Sequence, residues 1–225
     1  LLNNADWRGK WVGLNTAKDS IRGRKNILIH TPQYLRKKFQ LLKPVASARL
    51  YITAKGVFDA KLNGIDVSND VMSPGFTSYN KRIETLTYDV TEMLKAGQNA
   101  IGVELASGWY SGRLLWGNTP WDNTVSPKIL TQLEITMKDG SKELIISDKT
   151  WKGSTNGPLR FSEIYDGEIY NANYEMPNWS KPDFDDEDWS TVEVTDIDSI
   201  VKLSPKRHNT VKEKFKIIPQ EIETK

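Results

Sequence analysis

The sequence predicts an all-β chain, folded as a jelly-roll-like antiparallel β-sandwich with one short helical turn. Two hairpin signals support this fold, because Asn63-Gly64 and Asp139-Gly140 each lie between segments of alternating polar and apolar residues. Helix-like segments are too few to provide the crossovers of a parallel α/β sheet. About ten short strands are expected, at the spacing typical of a sandwich.

The first predicted strands show which of their faces is buried. Residues 34–41 alternate around charged side chains and are expected to form a strand. Residues 48–67 follow, with Leu50, Ile52 and Ala54 on one face. That face is predicted to point into the core.

The next segment combines a strand with the helical turn. Leu86, Tyr88 and Val90 share a strand face, and Thr91 is expected to open a short helical turn that Gly97 closes. A further strand follows, and two more flank the second hairpin signal. The acidic run over residues 183–189 is interpreted as a solvated turn anchored by its tryptophan.

Three regions are predicted along the chain. Residues 1–33 form an N-terminal arm held by Trp7 and Trp11, residues 34–200 form the sandwich, and residues 201–225 form a linker and the first strand of a following domain. The chain begins with leucine and shows no signal sequence. A processed chain, or a piece of a longer one, is therefore expected.

Composition excludes several classes of function. The 31 basic and 29 acidic residues give a formal net charge of +2, and the densest basic group, residues 22–25, is interpreted as a solvated loop. A nucleic-acid or anionic-membrane partner would need a concentrated basic face. There is no cysteine, which excludes disulfides and thiolate metal sites, and no apolar run approaches the length of a membrane span.

Catalytic signatures are sparse. The two histidines, His30 and His208, have no metal-ligating neighbour at helical spacing, and neither a nucleophile elbow nor a P-loop is found. The many carboxylates leave a glycosidase-type pair open on their number alone. Catalysis within this chain is the weaker hypothesis.

Sugar binding is the stronger hypothesis, and it rests on residues 108–123, "GWYSGRLLWGNTPWDN", which resemble neither a strand nor a core helix. Aromatic rings stack on the C–H faces of a pyranose, while carboxylates and amides bind its hydroxyls. Trp116, Trp121, Asp122 and Asn123 provide such groups within eight residues. The alternatives are that the tryptophans plug the core and that Asp122-Asn123 is only a turn.

Two neighbouring segments complete this reading. Trp109 and Tyr110, at the start of the aromatic loop, are expected to pack in the core. A second polar cluster, residues 165–179, offers oxygen atoms of the kind that calcium prefers. Its candidate residues are Asp166, Glu168, Asn171 and Asn173.

Several motifs in order resemble one family. The chain contains an LNG hairpin, then PGFTSYNKR, TYDVT, GQNAIGV and GWYSGR, and later IYDGEIYNAN and FDDEDWSTV. Over roughly residues 34–194 it is similar to the N-terminal β-sandwich domain of bacterial α-L-rhamnosidases, the family 78 glycoside hydrolases.

The resemblance implies a domain that assists substrate recognition. In the related family 67 carbohydrate-binding modules, terminal L-rhamnose is held through a bound calcium. The matching calcium ligands here would be Asp122, Asn123, Asn171 and the backbone carbonyl near Pro177. The residues expected to contact a rhamnose-containing glycan are Trp116, Trp121, Asp122, Asn123, Asp166 and Glu168.

The resemblance also implies a partner domain. The catalytic residues of family 78 lie in an (α/α)₆ barrel C-terminal to this domain, so this chain is not expected to be an enzyme although its parent is. The parent is expected to be secreted or periplasmic in a bacterium. Two functions stay open: a carbohydrate-recognition module, and a structural spacer that packs on the barrel without binding sugar.

Overall fold

Two β-sheets face each other in the computed structural model, which describes residues 2–16, 21–22, 28–114, 125–215 and 217–218. Most of their strands pair antiparallel, as predicted for a β-sandwich. The strands are β1 (Trp11–Gly13), β2 (Ile21–Arg22), β3 (Leu28–Ile29), β4 (Gln33–Leu41), β5 (Val45–Lys55), β6 (Val57–Leu62), β7 (Ile65–Asp66), β8 (Asp70–Val71), β9 (Arg82–Asp89), β10 (Gly97–Ala106), β11 (Lys128–Met137), β12 (Lys142–Ile146), β13 (Lys152–Ser154), β14 (Leu159–Glu163), β15 (Gly167–Tyr170), β16 (Ser190–Thr191), β17 (Glu193–Thr195), β18 (Lys202–Pro205) and β19 (Val211–Lys212).

Helical structure in the described residues is short. One turn of α-helix, α1 (Gly108–Ser111), follows β10, and 3₁₀ turns occur at Asn4–Asp6, Thr91–Met93 and Ala172–Tyr174. No helix in this part of the chain is long and apolar enough to cross a membrane. The described strands outnumber the expected ten because several are two-residue pairings, which leave no periodic pattern in the sequence.

The larger sheet has the order β17-β1-β11-β5-β9-β18, with β12 paired to the second half of β11. The smaller sheet has the order β16-β13-β4-β10-β6-β7. The pairing of β18 with β9 is parallel, an exception to the antiparallel pattern. Three two-stranded pairs, β14-β15, β8-β19 and β2-β3, lie outside the two sheets.

The core between the sheets confirms the predicted strand faces. Leu50, Ile52 and Ala54 of β5 are buried there, as is Leu86 of β9, with Tyr88 packed against the same cluster. Each of these side chains follows the alternation that a half-buried strand imposes.

A second apolar cluster covers the outer face of the larger sheet. Trp7 and Trp11 are buried in it together with Tyr51 and Tyr110, and Trp109 packs against it. The predictions that the first two tryptophans are anchored and that Trp109 and Tyr110 pack inward are therefore confirmed. Residues 108–123 are expected to resemble neither a strand nor a core helix, and within them Trp109 and Tyr110 lie in the single turn α1.

Both hairpin signals are confirmed. Asn63 and Gly64 join β6 to β7 with φ angles of 54° and 87°, the left-handed values that a type I′ turn requires. Gly140, at φ 83°, lies in the connection between β11 and β12. The 3₁₀ turn at Thr91–Met93 is also where a helical turn was predicted, but Gly97 begins β10 instead of closing that turn.

Strands from outside the predicted 34–200 range belong to the larger sheet. β1 lies between β11 and β17, and β18 pairs with β9. Val211–Lys212, predicted to be part of the next domain's first strand, pairs with Asp70–Val71 of this one. Backbone pairing thus ties the segments on both sides of that range to the sandwich.

Candidate functional site

The outer face of the smaller sheet is covered by the segment between β14 and β16. Gly102 of β10 allows this close approach, because a Cβ added there would lie 2.7 Å from both the Trp179 ring and the Ser180 Cβ. The Trp179 ring stands edge-on to Tyr34 at 5.2 Å and stacks on Trp189 at 6.2 Å. These aromatic contacts hold the covering segment to the sheet.

A cleft of about 530 Å³ opens beside this covered region, between β6, β10 and the β14-β15 hairpin. β6 and β10 contribute both apolar side chains and carboxylates to its lining. The lining residues used below are Val57, Asp59, Met72, Glu104, Ala106, Leu159, Glu168 and Tyr170.

Strand pairing brings two of the carboxylates of the cleft together. Asp59 of β6 and Glu104 of β10 are direct cross-strand partners, so both side chains point to the same outer face. Glu168 of β15 lies across the cleft from them. Tyr34 donates a hydrogen bond of 3.0 Å to Glu104, and its oxygen accepts one of 3.2 Å from the backbone of Leu159.

Desolvation shifts the ionisation of two of these carboxyl groups. Desolvation raises the pKa of Glu104; the hydrogen bond from Tyr34 opposes that shift, and the neighbouring charges of Asp59 and Glu168 add to it. The pKa of Asp59, at the exposed rim, is raised chiefly by desolvation and then by Asp66. The cleft therefore holds carboxyl groups that ionise less readily than free ones.

Apolar and aromatic surface adjoins the carboxylates. Val57 and Ala106 form the next cross-strand pair on the same face of β6 and β10, Leu159 of β14 also lines the cleft, and Tyr170, which is 59% exposed, stands at its edge. The Tyr170 hydroxyl donates a 2.9 Å hydrogen bond to Glu175, which orients the ring. Apolar surface beside hydrogen-bond acceptors is an arrangement that suits a sugar ring.

A buried ion-pair cluster fixes the hairpin that forms one side of the cleft. The Glu163 carboxylate accepts hydrogen bonds from the backbone of Arg113 (3.0 Å), Tyr165 (2.7 Å) and Asp166 (3.0 Å). The Arg113 guanidinium lies 2.7 Å from the Asp166 carboxylate. The hairpin is thereby tied to the residues that follow α1.

The predicted site residues lie in different surroundings, and only some of them are within the described part of the chain. Glu168 lines the cleft, whereas the carboxylate of Asp166 is paired with Arg113. Asn171 accepts a 3.1 Å hydrogen bond from the backbone of Asn173, and Pro177 is exposed in the next turn. The remaining candidates, which lie outside the described residues, are Trp116, Trp121, Asp122 and Asn123.

The calcium prediction stays a prediction. Within the described residues there is no group of three or more histidine or acidic side chains placed to hold a metal ion. The predicted ligand set also draws on amide and backbone oxygens and on residues 122–123.

The interpretation of residues 183–189 as a solvated turn is wrong at Asp186. Its carboxylate is buried and bonded to the guanidinium of Arg36, which is 0% exposed on β4. Lys38 and Lys152 lie 3.2 Å and 3.5 Å from the same carboxylate. The Trp189 anchor is confirmed by its stacking on Trp179.

Sequence reasoning missed Tyr34, Asp59 and Glu104. A usable signal existed, since each alternates with core residues on a strand and therefore faces away from the core. The buried partner of Asp186 left no local signal, because Arg36 precedes it by 150 residues.

The chain is similar to known α-L-rhamnosidases. Residues 43–214 match the α-L-rhamnosidase N-terminal domain family. An α-L-rhamnosidase of Formosa agariphila is 60% identical over 222 residues, which cover 99% of this chain and 24% of that protein. The crystal structure of native α-L-rhamnosidase from Aspergillus terreus is 39% identical, with a TM-score of 0.79 over 89% of this chain and 23% of that one. The α-L-rhamnosidase of Streptomyces avermitilis, solved in complex with L-rhamnose, is 37% identical, with a TM-score of 0.73 over 81% of this chain and 18% of that one.

The similarity runs through both sheets and the segments that cover them, while this chain spans about a quarter of the length of the curated relatives it matches. The sandwich, with its strands in order, is thus a region that recurs in longer α-L-rhamnosidases. The chain belongs to the α-L-rhamnosidase N-terminal domain family.

Proposed function

We propose that this domain recognises a sugar of a rhamnose-containing glycan on which a parent α-L-rhamnosidase acts. The observation that carries the proposal is the cleft in which the carboxylates of Asp59, Glu104 and Glu168 lie beside apolar and aromatic surface. A relative solved in complex with L-rhamnose supports the choice of sugar.

The chemistry of the cleft favours a neutral ligand rich in hydroxyl groups. Ionised carboxylates only accept hydrogen bonds, so the ligand must supply donors, and sugar hydroxyls do so. Val57, Ala106 and the exposed ring of Tyr170 can cover the C–H face and the methyl group of a 6-deoxy sugar. An anionic ligand would be repelled by the three carboxylates.

Calcium is part of the proposal. Asn171, one of the predicted ligands, directly follows Tyr170 of the cleft edge in the sequence. Oxygen ligands from Asp122, Asn123 and the backbone near Pro177 would provide the hard donors that this ion prefers. Two adjacent sugar hydroxyls could then complete its coordination.

Calorimetric titration of L-rhamnose, with calcium and with a chelator, tests the proposal. Glu168→Gln keeps the shape of an exposed cleft residue but removes a charged acceptor, so we expect affinity to fall roughly fivefold to tenfold. Glu187→Gln, in the exposed acidic turn, is the matched control and should bind as the unaltered chain does. No heat at millimolar sugar, or equal affinity in both variants, would refute recognition through this cleft.

The second candidate function, a spacer that packs on a catalytic domain, is favoured by a different observation. Apolar side chains remain exposed along one groove beside the cleft, formed by residues around β8 and β19. Val71 and Met72 border both the groove and the cleft, whereas Phe76 and Val211 line only the groove.

A further inference from the structure

An apolar groove of about 190 Å³ lies where β8 and β19 pair. Met72 is 49% exposed, Phe76 50% and Val211 58%, although all three side chains are apolar. The Phe76 ring packs edge-on against Trp109, with centroids 6.4 Å apart. Contiguous exposed apolar surface of this kind marks an interaction site, in contrast to scattered single residues.

The groove has a fixed shape. Met72 has φ 57°, a left-handed value that is unfavourable for a side chain with a Cβ and that directs this residue at the groove. Lys206 donates a 2.7 Å hydrogen bond to the carbonyl of Pro74 and lies 3.3 Å from Glu84, which holds the floor in place. Lys212 pairs with Asp70 at 3.7 Å on the adjoining strand pair.

We infer that this groove is the docking surface for the domain that follows in the parent α-L-rhamnosidase polypeptide. The curated relatives are about four times longer than this chain, which covers 24% of the matched protein, so most of such a polypeptide is available to occupy it. β19, one wall of the groove, is the last described strand of the sandwich. The following Phe215, Ile217 and Ile218 are also exposed, at 76%, 83% and 83%.

The charged side chains around the groove indicate how polar the docking face of the partner is. The two lysines at its edge, Lys206 and Lys212, are already paired with Glu84 and Asp70. The docking face of the partner is therefore apolar, with no requirement for compensating charge. A partner in the same polypeptide needs only a modest interface, on the order of 600–1,500 Å², because the linkage keeps its effective concentration high.

The position of the groove has a consequence for the cleft. Val71 and Met72 line both cavities, one on each side of the β8 segment. A domain docked in the groove therefore stands beside the cleft. Phe76 lines only the groove, and the cleft carboxylates line only the cleft, so a substitution at Phe76 separates docking from sugar binding.

Limited trypsin digestion of the full-length parent polypeptide tests the inference. Met72→Glu places a charge in the groove without adding a trypsin site, and Phe76→Glu places a charge on the other wall. We expect both variants to release the N-terminal quarter roughly tenfold faster by cleavage within residues 212–225, because undocking exposes that segment. Leu42→Glu, directly after the end of β4 and 76% exposed, is the control and should leave the rate unchanged.

Two results would overturn the docking role. One is an equal cleavage rate in both groove variants, the control and the unaltered polypeptide. The other is a dimer of the unaltered polypeptide that both groove variants convert to monomers in analytical ultracentrifugation, since a second copy would then be the occupant. Hydrogen exchange gives an independent reading. The backbone amides of residues 71–73, 75 and 76 should be protected in the unaltered polypeptide and lose that protection in Met72→Glu.

Discussion

At the scale of single residues, Arg36 and Asp186 place two opposite charges away from water. Burial lowers the pKa of Arg36 to about 10, so its guanidinium remains charged at neutral pH. The second guanidinium nitrogen donates a 2.6 Å hydrogen bond to the carbonyl of Lys181. The pair therefore joins β4 to the covering segment, and the attraction offsets the cost of removing both ions from water.

Asp186→Ala should be strongly destabilising. The substitution leaves the Arg36 charge buried without its anion, and the free energy of unfolding should fall by about 3–5 kcal/mol. Urea denaturation measures this change. Asp188→Ala, two residues away and exposed, should change stability by no more than about 0.5 kcal/mol, and a similar loss in both variants would argue against the buried pair.

Glu104 predicts a pH dependence of stability. Because desolvation raises its pKa in the folded state, folding favours the protonated carboxyl. Its ionisation therefore costs stability as the pH rises from the ordinary glutamate range through the raised value. Glu104→Gln should have a higher free energy of unfolding than the unaltered chain at about pH 7, and this advantage should vanish at about pH 4.

Denaturant titrations at the two pH values check that prediction, with Glu187→Gln as the exposed control. An advantage that is the same at both pH values would show that ionisation of Glu104 is not its source.

At the scale of elements, the β6-β7 turn does more than reverse the chain. The Asn63 side chain donates hydrogen bonds of 2.8 Å to the carbonyl of Met93 and to Asn99, and accepts one of 2.9 Å from the backbone of Ala100. The turn is thereby bonded to the start of β10. Gly140 in the β11-β12 turn lies in open space, because a Cβ added there would meet nothing within 4 Å.

The two turns should therefore respond differently to alanine. Gly140→Ala meets only the strain of φ 83°, which costs about 1–2 kcal/mol. Asn63→Ala loses three hydrogen bonds and also leaves alanine at φ 54°, so the loss should reach about 3–5 kcal/mol. Thermal and urea unfolding of the two variants compare them directly, and equal losses would mean that the side-chain bonds of Asn63 contribute nothing.

At the scale of the whole molecule, the cleft is assembled from segments that are far apart in the sequence. Asp59 and Glu104 come from the smaller sheet, and Glu168 comes from a separate hairpin that Arg113 and Glu163 hold in place. The groove beside it joins β8 to β19, which are about 140 residues apart. Both surfaces exist only when the sandwich is complete.

This chain should not release nitrophenol from an aryl α-L-rhamnoside. It corresponds to about a quarter of the relatives, and the resemblance places their acid and base in a following barrel. A chromogenic assay of the purified chain, with the full-length parent as positive control, measures this. Turnover that copurifies with the chain and is lost in Glu104→Gln would instead place the chemistry in the cleft.

The sequence by itself determined the β-sandwich class, the two hairpin turns, the buried faces of β5 and β9 and the family. These features depend on residues close together in the chain, where side-chain alternation and the φ preferences of Asn63, Gly64 and Gly140 act locally. Of the site residues predicted from this local information, Glu168 lines the cleft and Asp166 forms an ion pair with Arg113. Their contact with a sugar stays a prediction.

Only the tertiary structure decided which segments meet. Alternation indicates that Asp59 and Glu104 face away from the core, but not that the β14-β15 hairpin lies opposite them and forms a cleft. The sequence likewise shows an acidic run around Asp186, but it does not show that the buried Arg36 binds the Asp186 carboxylate. The physical reason is that desolvation and ion pairing depend on which groups become neighbours after folding, and a strand's own sequence specifies its faces but not the segment that covers them.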